Sequence, residues 1–164
     1  MIRLNIAFLV RFLFCLLAFS SVKSLADSKL PLGFNITITD DFKYEKNFVI
    51  HTQIYQLPEQ TTEVNWADIL EVTSHHQPYK SDSNLVELKL PANQYCARFF
   101  IDTNDNQKLD VSSIGLPVEP VGFANNPILT FGEPAPSEAC FALDSALQLD
   151  IRLRAKKSKR RFKP

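Results

Sequence analysis

The run Asp102-Thr103-Asn104-Asp105-Asn106-Gln107-Lys108-Leu109-Asp110 carries the strongest chemical signal in this chain of 164 residues. Side-chain oxygens stand at loop positions 1, 3, 5 and 9, as Asp102, Asn104, Asn106 and Asp110. A D-x-N-x-N-x-x-x-D spacing curls the backbone so that alternate side chains converge on one centre with the position-7 carbonyl, here Lys108. Hard oxygen donors at that spacing suit Ca²⁺. Leu109, at position 8, stands where such loops anchor to a core. Two positions depart from the pattern. Gln107 replaces the Gly that permits the sharp turn, and Ser113 replaces the bidentate Glu that completes an EF-hand site. With only two charged ligands the expected affinity is weak, about 10⁻⁴–10⁻³ M. The alternative is a metal-free turn in which Asp and Asn side chains cap local backbone groups.

Other reactive residues are sparse. Cys96 and Cys140 have no CxxC partner and no nearby His, so a disulfide is the leading reading, with free thiols as the alternative. Their separation would close a loop of about 45 residues, worth roughly 4 kcal/mol on the chain-entropy model. His75 and His76 are adjacent, which on a strand sends them to opposite faces, and they read as part of a solvated loop. His51 lies opposite the apolar parity of its segment and reads as a wet-face residue. Asp40, Asp41, Glu119 and Glu133 read as surface acids; a hydrolytic carboxylate pair cannot be assigned from spacing. GxSxG, HExxH, P-loop and dinucleotide fingerprints are absent, and no catalytic residue is assigned.

Charge divides the chain into segments. Lys plus Arg and Asp plus Glu are 18 each, a formal net charge of zero. Residues 1–26 read as a secretory signal: Arg3 and Arg11, an apolar run from Phe12 to Phe19, then Ser24-Leu25-Ala26 as the cleavage site. The run falls short of the roughly 20 residues that span a bilayer. Export to the periplasm or the extracellular space is therefore expected, an oxidising setting that suits the disulfide. Residues 27–151 hold seven basic and 18 acidic groups, net −11, and Arg152 to Lys163 add eight basic groups. From Ala155 on, the apolar pattern stops, and 155–164 reads as a basic disordered tail. Such a tail suits an anionic membrane surface; specific nucleic-acid recognition is not expected.

The elements that must position the loop show period-2 alternation. Phe34, Ile36 and Ile38 share one parity, as do Phe48, Ile50 and Ile54, then Val86, Leu88 and Leu90, then Leu147, Leu149, Ile151 and Leu153. Residues 94–101 and 138–143 also read as strands, with Tyr95, Ala97 and Phe99, and Ala139, Phe141 and Leu143, facing the core. That places Cys96 and Cys140 together on an outer face, able to bond if their strands are neighbours. Pro91-Ala92-Asn93 predicts a hairpin joining 85–90 to 94–101. Trp66, Ile69 and Leu70, at i, i+3 and i+4 after Thr62, predict a short helix near 63–71, with an irregular connection as the alternative. Residues 74–84 read as a loop and 111–136 as a long stiff connection. The pattern predicts an all-β domain over 27–154, an antiparallel two-layer sandwich of immunoglobulin-like or transthyretin-like kind.

Three segments carry a resemblance: Y-C-A-R-F-F-I-D-T-N-D-N-Q-K-L-D (95–110), G-L-P-V-E-P-V-G-F-A-N-N-P (115–127) and F-G-E-P-A-P-S-E-A-C-F (131–141). In this order they resemble a bacterial family of exported domains of unknown function. Its members carry an acidic, Asn- and Gly-containing loop after a Tyr-Ala strand, then Gly-Ile-Pro and Gly-Phe-Ser-Asn-Asn segments. Here Ile101 stands where members often have His, and Gln107 where they have Gly. The resemblance covers residues 85–154 and implies a β-sandwich, export and no assigned activity. The Gly122-Phe123-Ala124-Asn125-Asn126 segment is read as a turn covering one end of the sandwich, or as part of a ligand-contacting rim. The functional expectation is an exported, non-catalytic binding or structural module, with calcium stabilisation if the Asp/Asn loop holds an ion and is not the metal-free turn. The alternatives are a periplasmic hydrolase using surface carboxylates and an envelope-surface protein held by its basic tail.

Overall fold

A computed structural model describes residues 28–38, 48–58, 64–80, 84–129 and 132–154. The leader 1–26, the tail 155–164, Asp40, Asp41 and Thr62 lie outside the described residues. Among the described residues eight strands follow one another: β1 (Leu30–Ile38), β2 (Val49–Gln56), β3 (Leu70–Pro78), β4 (Asn84–Leu90), β5 (Asn93–Asp102), β6 (Val121–Phe123), β7 (Cys140–Leu143) and β8 (Leu147–Leu153). A short 3-10 helix, Pro136–Ala139, leads into β7. One sheet has the order β4-β1-β8; the other has the order β3-β2-β5-β6, with β7 also paired to β5. The expected all-β sandwich is present. Its described pairings are antiparallel except that β1 runs parallel to β8.

Alternation builds the core between the sheets. Leu32, Phe34, Ile36, Val86, Ile151 and Leu153 meet Ile50, Ile54, Ala97, Phe99 and Ile101. Phe34 and Phe99 touch edge to face at 4.9 Å between ring centres. Each such side chain contributes about 1.5–3 kcal/mol on burial. The small sheet keeps a wet outer face, with Leu85, Glu87, Lys89, Gln148, Asp150 and Arg152 exposed.

The large sheet has no such wet face along β5. Cys96 and Phe100 point away from the first core, yet both are fully buried. A second cluster covers them, built from Tyr55, Trp66, Ile69, Val121, Phe123 and Ala139. The indole Nε1 of Trp66 donates to the Pro134 carbonyl at 2.9 Å, which fastens one covering segment to another.

That second layer explains some of the departures from the alternation reading. Of the helix expected near 63–71, the described residues 64–69 form a turn instead: Asp68 N donates to Asn65 O at 3.0 Å, and Leu70 already opens β3. The i, i+3 pair Trp66 and Ile69 is satisfied by this turn, which buries both. Residues 70–78 form a strand, where a loop was expected over 74–84. As an edge strand, β3 has one sheet neighbour and carries polar side chains, so it shows no apolar alternation. Segments 85–90 and 94–101 are not a hairpin; β4 pairs with β1, β5 pairs with β2, and Pro91-Ala92 carries the chain between sheets. The Tyr95 hydroxyl donates to the Pro91 carbonyl at 3.0 Å and fixes that crossing. The stretch 111–136 contains β6 as well as irregular chain. Ala139 belongs to the 3-10 helix and the second cluster, whereas Phe141 and Leu143 do face the first core.

One edge of the sandwich is stitched shut. Val121 and Arg154 exchange backbone hydrogen bonds of 3.2 and 2.9 Å, joining β6 to the end of β8. Gly122 is required by this approach, because a Cβ there would lie 2.8 Å from the Arg152 carbonyl oxygen. Asn125 and Asn126 take left-handed backbone conformations, φ 63° and 49°, which Asn tolerates better than most residues. The Asn126 side chain then donates to Asp150 O and accepts from Arg152 N, both at 2.7 Å, in place of a neighbouring strand. Asn125 donates to the Cys140 carbonyl at 2.7 Å. These contacts give the Gly-Phe-Ala-Asn-Asn segment a structural role at this edge.

Candidate functional site

β5 delivers Asp102 to the end of the sandwich, where the Asp/Asn loop begins. The chain then wraps around this carboxylate. Oδ1 of Asp102 accepts from the backbone N–H groups of Asn104, Asp105 and Asn106 at 3.1, 2.6 and 3.3 Å, and Oδ2 accepts from Gln107 N at 2.7 Å. Burial by itself would raise the Asp102 pKa; the donors at Gln107, Asn104, Asp105 and Asn106 outweigh it and hold the carboxyl below its ordinary value. Asp105 and Gln107 sit at φ 62° and 61°. Gln107 thus adopts the turn conformation that Gly usually supplies.

The other named positions close on Asp110. Its Oδ2 accepts from the Asn104 amide at 2.6 Å and its Oδ1 from the Asn106 amide at 2.9 Å. Asn106 Oδ1 accepts from Lys108 N at 2.9 Å. Leu109 packs against the second cluster, the anchor expected at position 8. The loop therefore brings Asp102, Asn104, Asn106, Lys108 and Asp110 into one hydrogen-bonded ring. Among the described residues no three His, Cys, Asp or Glu side chains gather as a ligand cluster. At its ligand positions this loop offers two carboxylates, Asp102 and Asp110, and the remaining donors there are amide and carbonyl oxygens. That all-oxygen set fits a hard cation by chemistry. To ligate, Asn104 and Asn106 would have to present Oδ1 where their amide nitrogens now meet Asp110.

Two residues outside the motif hold the loop. Glu119 was expected on the surface; it is 4% exposed and accepts from Thr103 N, Thr103 Oγ1 and Asp110 N at 2.7, 2.9 and 3.1 Å. It ties the start of the loop to its last residue. His51, expected on a wet face, is 3% exposed, with Phe100, His76 and Asp102 around its ring. Its ring stacks on Phe100 at 4.6 Å and against His76 at 4.2 Å, and its Nε2 lies 3.6 Å from Asp102 Oδ2. Burial and the neighbouring His76 push the His51 pKa down, against the opposite pull of Asp102 and Asp105. His76 itself is exposed on β3, within a strand and not the expected loop. Neither Glu119 nor His51 announces itself by spacing: their partners come from distant chain.

Farther along the same face, Arg98 donates to Gln53, Glu133 and the Tyr55 hydroxyl at 2.9, 3.0 and 2.9 Å. Its guanidinium lies 5.6 and 5.4 Å from the Tyr55 and Trp66 ring centres. Burial, with Glu71 and Glu133 nearby, pushes the Tyr55 hydroxyl up to about 12 although Arg98 opposes it. Glu133 is thus engaged in holding the covering segment. Beyond Arg98, Cys96 and Cys140 face each other in register on β5 and β7 and form the expected disulfide. It is not an exposed outer-face bond, since Cys96 is fully buried. A shallow concavity of about 650 Å³ lies on the small sheet, lined by Gly33, Leu85, Glu87, Lys89 and Gln148 among others.

No curated protein and no solved structure matches the chain. A family model described as "Uncharacterized protein conserved in bacteria (DUF2141)" matches residues 40–149, which includes the whole Asp/Asn loop and both disulfide cysteines, Cys96 and Cys140. The match starts well before the motif-bearing stretch and covers more than half of the sequence, so the chain belongs to this family of uncharacterized bacterial proteins.

Proposed function

We propose that the protein is an exported, non-catalytic β-sandwich module with a binding or structural role, and that residues 102–110 hold Ca²⁺. One observation carries the calcium reading: both oxygens of Asp110 meet the side chains of loop positions 3 and 5, at 2.6 and 2.9 Å. Asp102, Asn104, Asn106 and Asp110 would hold the ion together with the Lys108 carbonyl. Bound there, it supplies the positive charge that gathers two carboxylates. Asp102 fixes the backbone curl, Glu119 holds the two ends of the loop together, and Leu109 pins it to the second cluster. Export is supported by the signal-like pattern of residues 1–26 and by the disulfide, which persists in oxidising compartments. A hydrolytic reading through surface carboxylates finds Glu119 buried and Glu133 paired with Arg98.

The test is a pair of melting curves, one with millimolar Ca²⁺ and one with chelator. Binding at ten times Kd stabilises by roughly 1.4 kcal/mol, so the curve with calcium shifts upward by about 5 °C. Coincident curves would remove the ion from the account.

A further inference from the structure

We infer that copies of this chain join head to tail, the apolar finger 111–118 of one copy entering the concavity on the small sheet of the next. This rests on neither calcium nor export.

The finger is a small two-stranded projection. Val118 N donates to the Asp110 carbonyl at 2.9 Å and Ser112 N to the Leu116 carbonyl at 2.8 Å, with Val111 bridging Pro117 between these rungs. Gly115 N donates to the Ser112 carbonyl at 2.9 Å, which puts Ile114 in the turn at the tip. Successive rungs send side chains to opposite faces, so Val111 and Val118 leave the ribbon on different sides. Both are exposed, 52% and 48%, and Ile114 is 76% exposed. A ribbon lying flat on the body would hide one face; this one stands clear. Residues 111–118 carry no charge.

The concavity follows from Gly33. Leu32 and Phe34 point into the core, so Gly33 opens outward on the middle strand of the small sheet, between Glu87 and Gln148. The missing side chain leaves a trough of about 650 Å³ with apolar lining from Pro31, Leu85, Ala146 and Leu147. Sites of this size take a compact apolar group. The backbone does not demand glycine here: its φ is not positive, and a Cβ would meet Gln148 Cγ at an ordinary 3.5 Å. Glu87 and Lys89 offset each other, so the trough, like the finger, has no net charge.

Of the seven large apolar side chains exposed among the described residues, four belong to these two features: Leu85, Val111, Ile114 and Val118. The chain thus carries both halves of one contact, an uncharged apolar projection and a neutral apolar recess, and this selects a second copy as the occupant. The halves lie at opposite ends of β8. The trough takes Leu147 and Gln148 at its start, whereas Arg154, just past its end, bridges Val121, three residues after the finger. A contact between unlike ends leaves one finger and one trough free, so it propagates as an open chain or closes as a ring.

The experiment is sedimentation equilibrium of the purified chain in chelator, from about 10⁻⁵ M to about 10⁻³ M because small interfaces hold weakly. The average mass should climb past that of a dimer as concentration rises. Ile114→Asp disables the finger and Gly33→Val fills the trough. Each should weaken self-association by about tenfold or more without lowering the melting temperature. Mixed in equal amounts, the first variant supplies a trough and the second a finger, so the mixture should form a pair with one copy of each and stop there. Misfolded variants could not restore each other. The inference is overturned if the parent stays monomeric at the highest concentration, if either variant alone associates as the parent does, or if the mixture stays monomeric.

Discussion

Replacing Glu119 by alanine should loosen the Asp/Asn loop more than any change within the loop's exposed residues. The buried carboxylate accepts from Thr103 N, Thr103 Oγ1 and Asp110 N. Truncation leaves two backbone N–H groups without their acceptor, while the exposed Thr103 hydroxyl can turn to water. An orphaned buried donor costs about 1–3 kcal/mol, so the total is about 3 kcal/mol after partial hydration of the site. For a domain of this size each kcal/mol shifts melting by roughly 3–5 °C. Melting should fall by about 10 °C in Glu119→Ala. Glu119→Gln keeps one oxygen for Thr103 but turns an amide N–H₂ toward the Asp110 N–H, so its loss is about half as large. Calorimetry gives the melting temperatures, and amide exchange at Thr103 and Asp110 locates the damage. An unchanged melting temperature, with both amides still protected in Glu119→Ala, would refute the assignment of Glu119 as the tie across the loop.

Three other perturbations probe the rest of the fold. Gly122→Ala forces a Cβ against the Arg152 carbonyl at the β6–β8 edge and should cost about 2 kcal/mol or more, read as a lower denaturation midpoint in urea. Reducing the Cys96–Cys140 bond, which spans 44 residues of sequence, should destabilise by up to about 4 kcal/mol, read as the difference between melts with and without reductant. The depressed pKa of His51 means that the unfolded chain takes up its proton first as pH falls. Its contribution is therefore fully present above about pH 6.5 and is lost progressively below that. In chelator, the fall in melting temperature between about pH 6.5 and pH 5 should flatten in His51→Phe; an identical pH profile would rule His51 out.

The sequence disclosed whatever depends on short-range pattern. β1, β4 and β8 were legible because one face of each is wet, so hydrophobicity repeats every second residue. The Asp/Asn loop was legible because its ring closes within nine consecutive residues. What escaped depends on contacts between distant segments. His51 looked wet since the groups that enclose it, His76 on β3 and Phe100 and Asp102 on β5, come from distant chain. Glu119 looked like a surface acid because its partners, Thr103 and Asp110, lie 16 and nine residues away. Pro91-Ala92-Asn93 reads as a hairpin turn, yet β4 finds its partner in β1, more than fifty residues earlier in the register Leu30↔Leu90. The parallel β1–β8 pair joins the two ends of the domain, a contact no local pattern encodes.

The most direct test of the calcium reading is a calorimetric titration of the purified chain with Ca²⁺, run beside Asp110→Ala. The account expects one saturable site, with Kd of about 10⁻⁴–10⁻³ M, that disappears when Asp110 can no longer meet Asn104 and Asn106. No binding heat in the parent, or equal binding in Asp110→Ala, would contradict it.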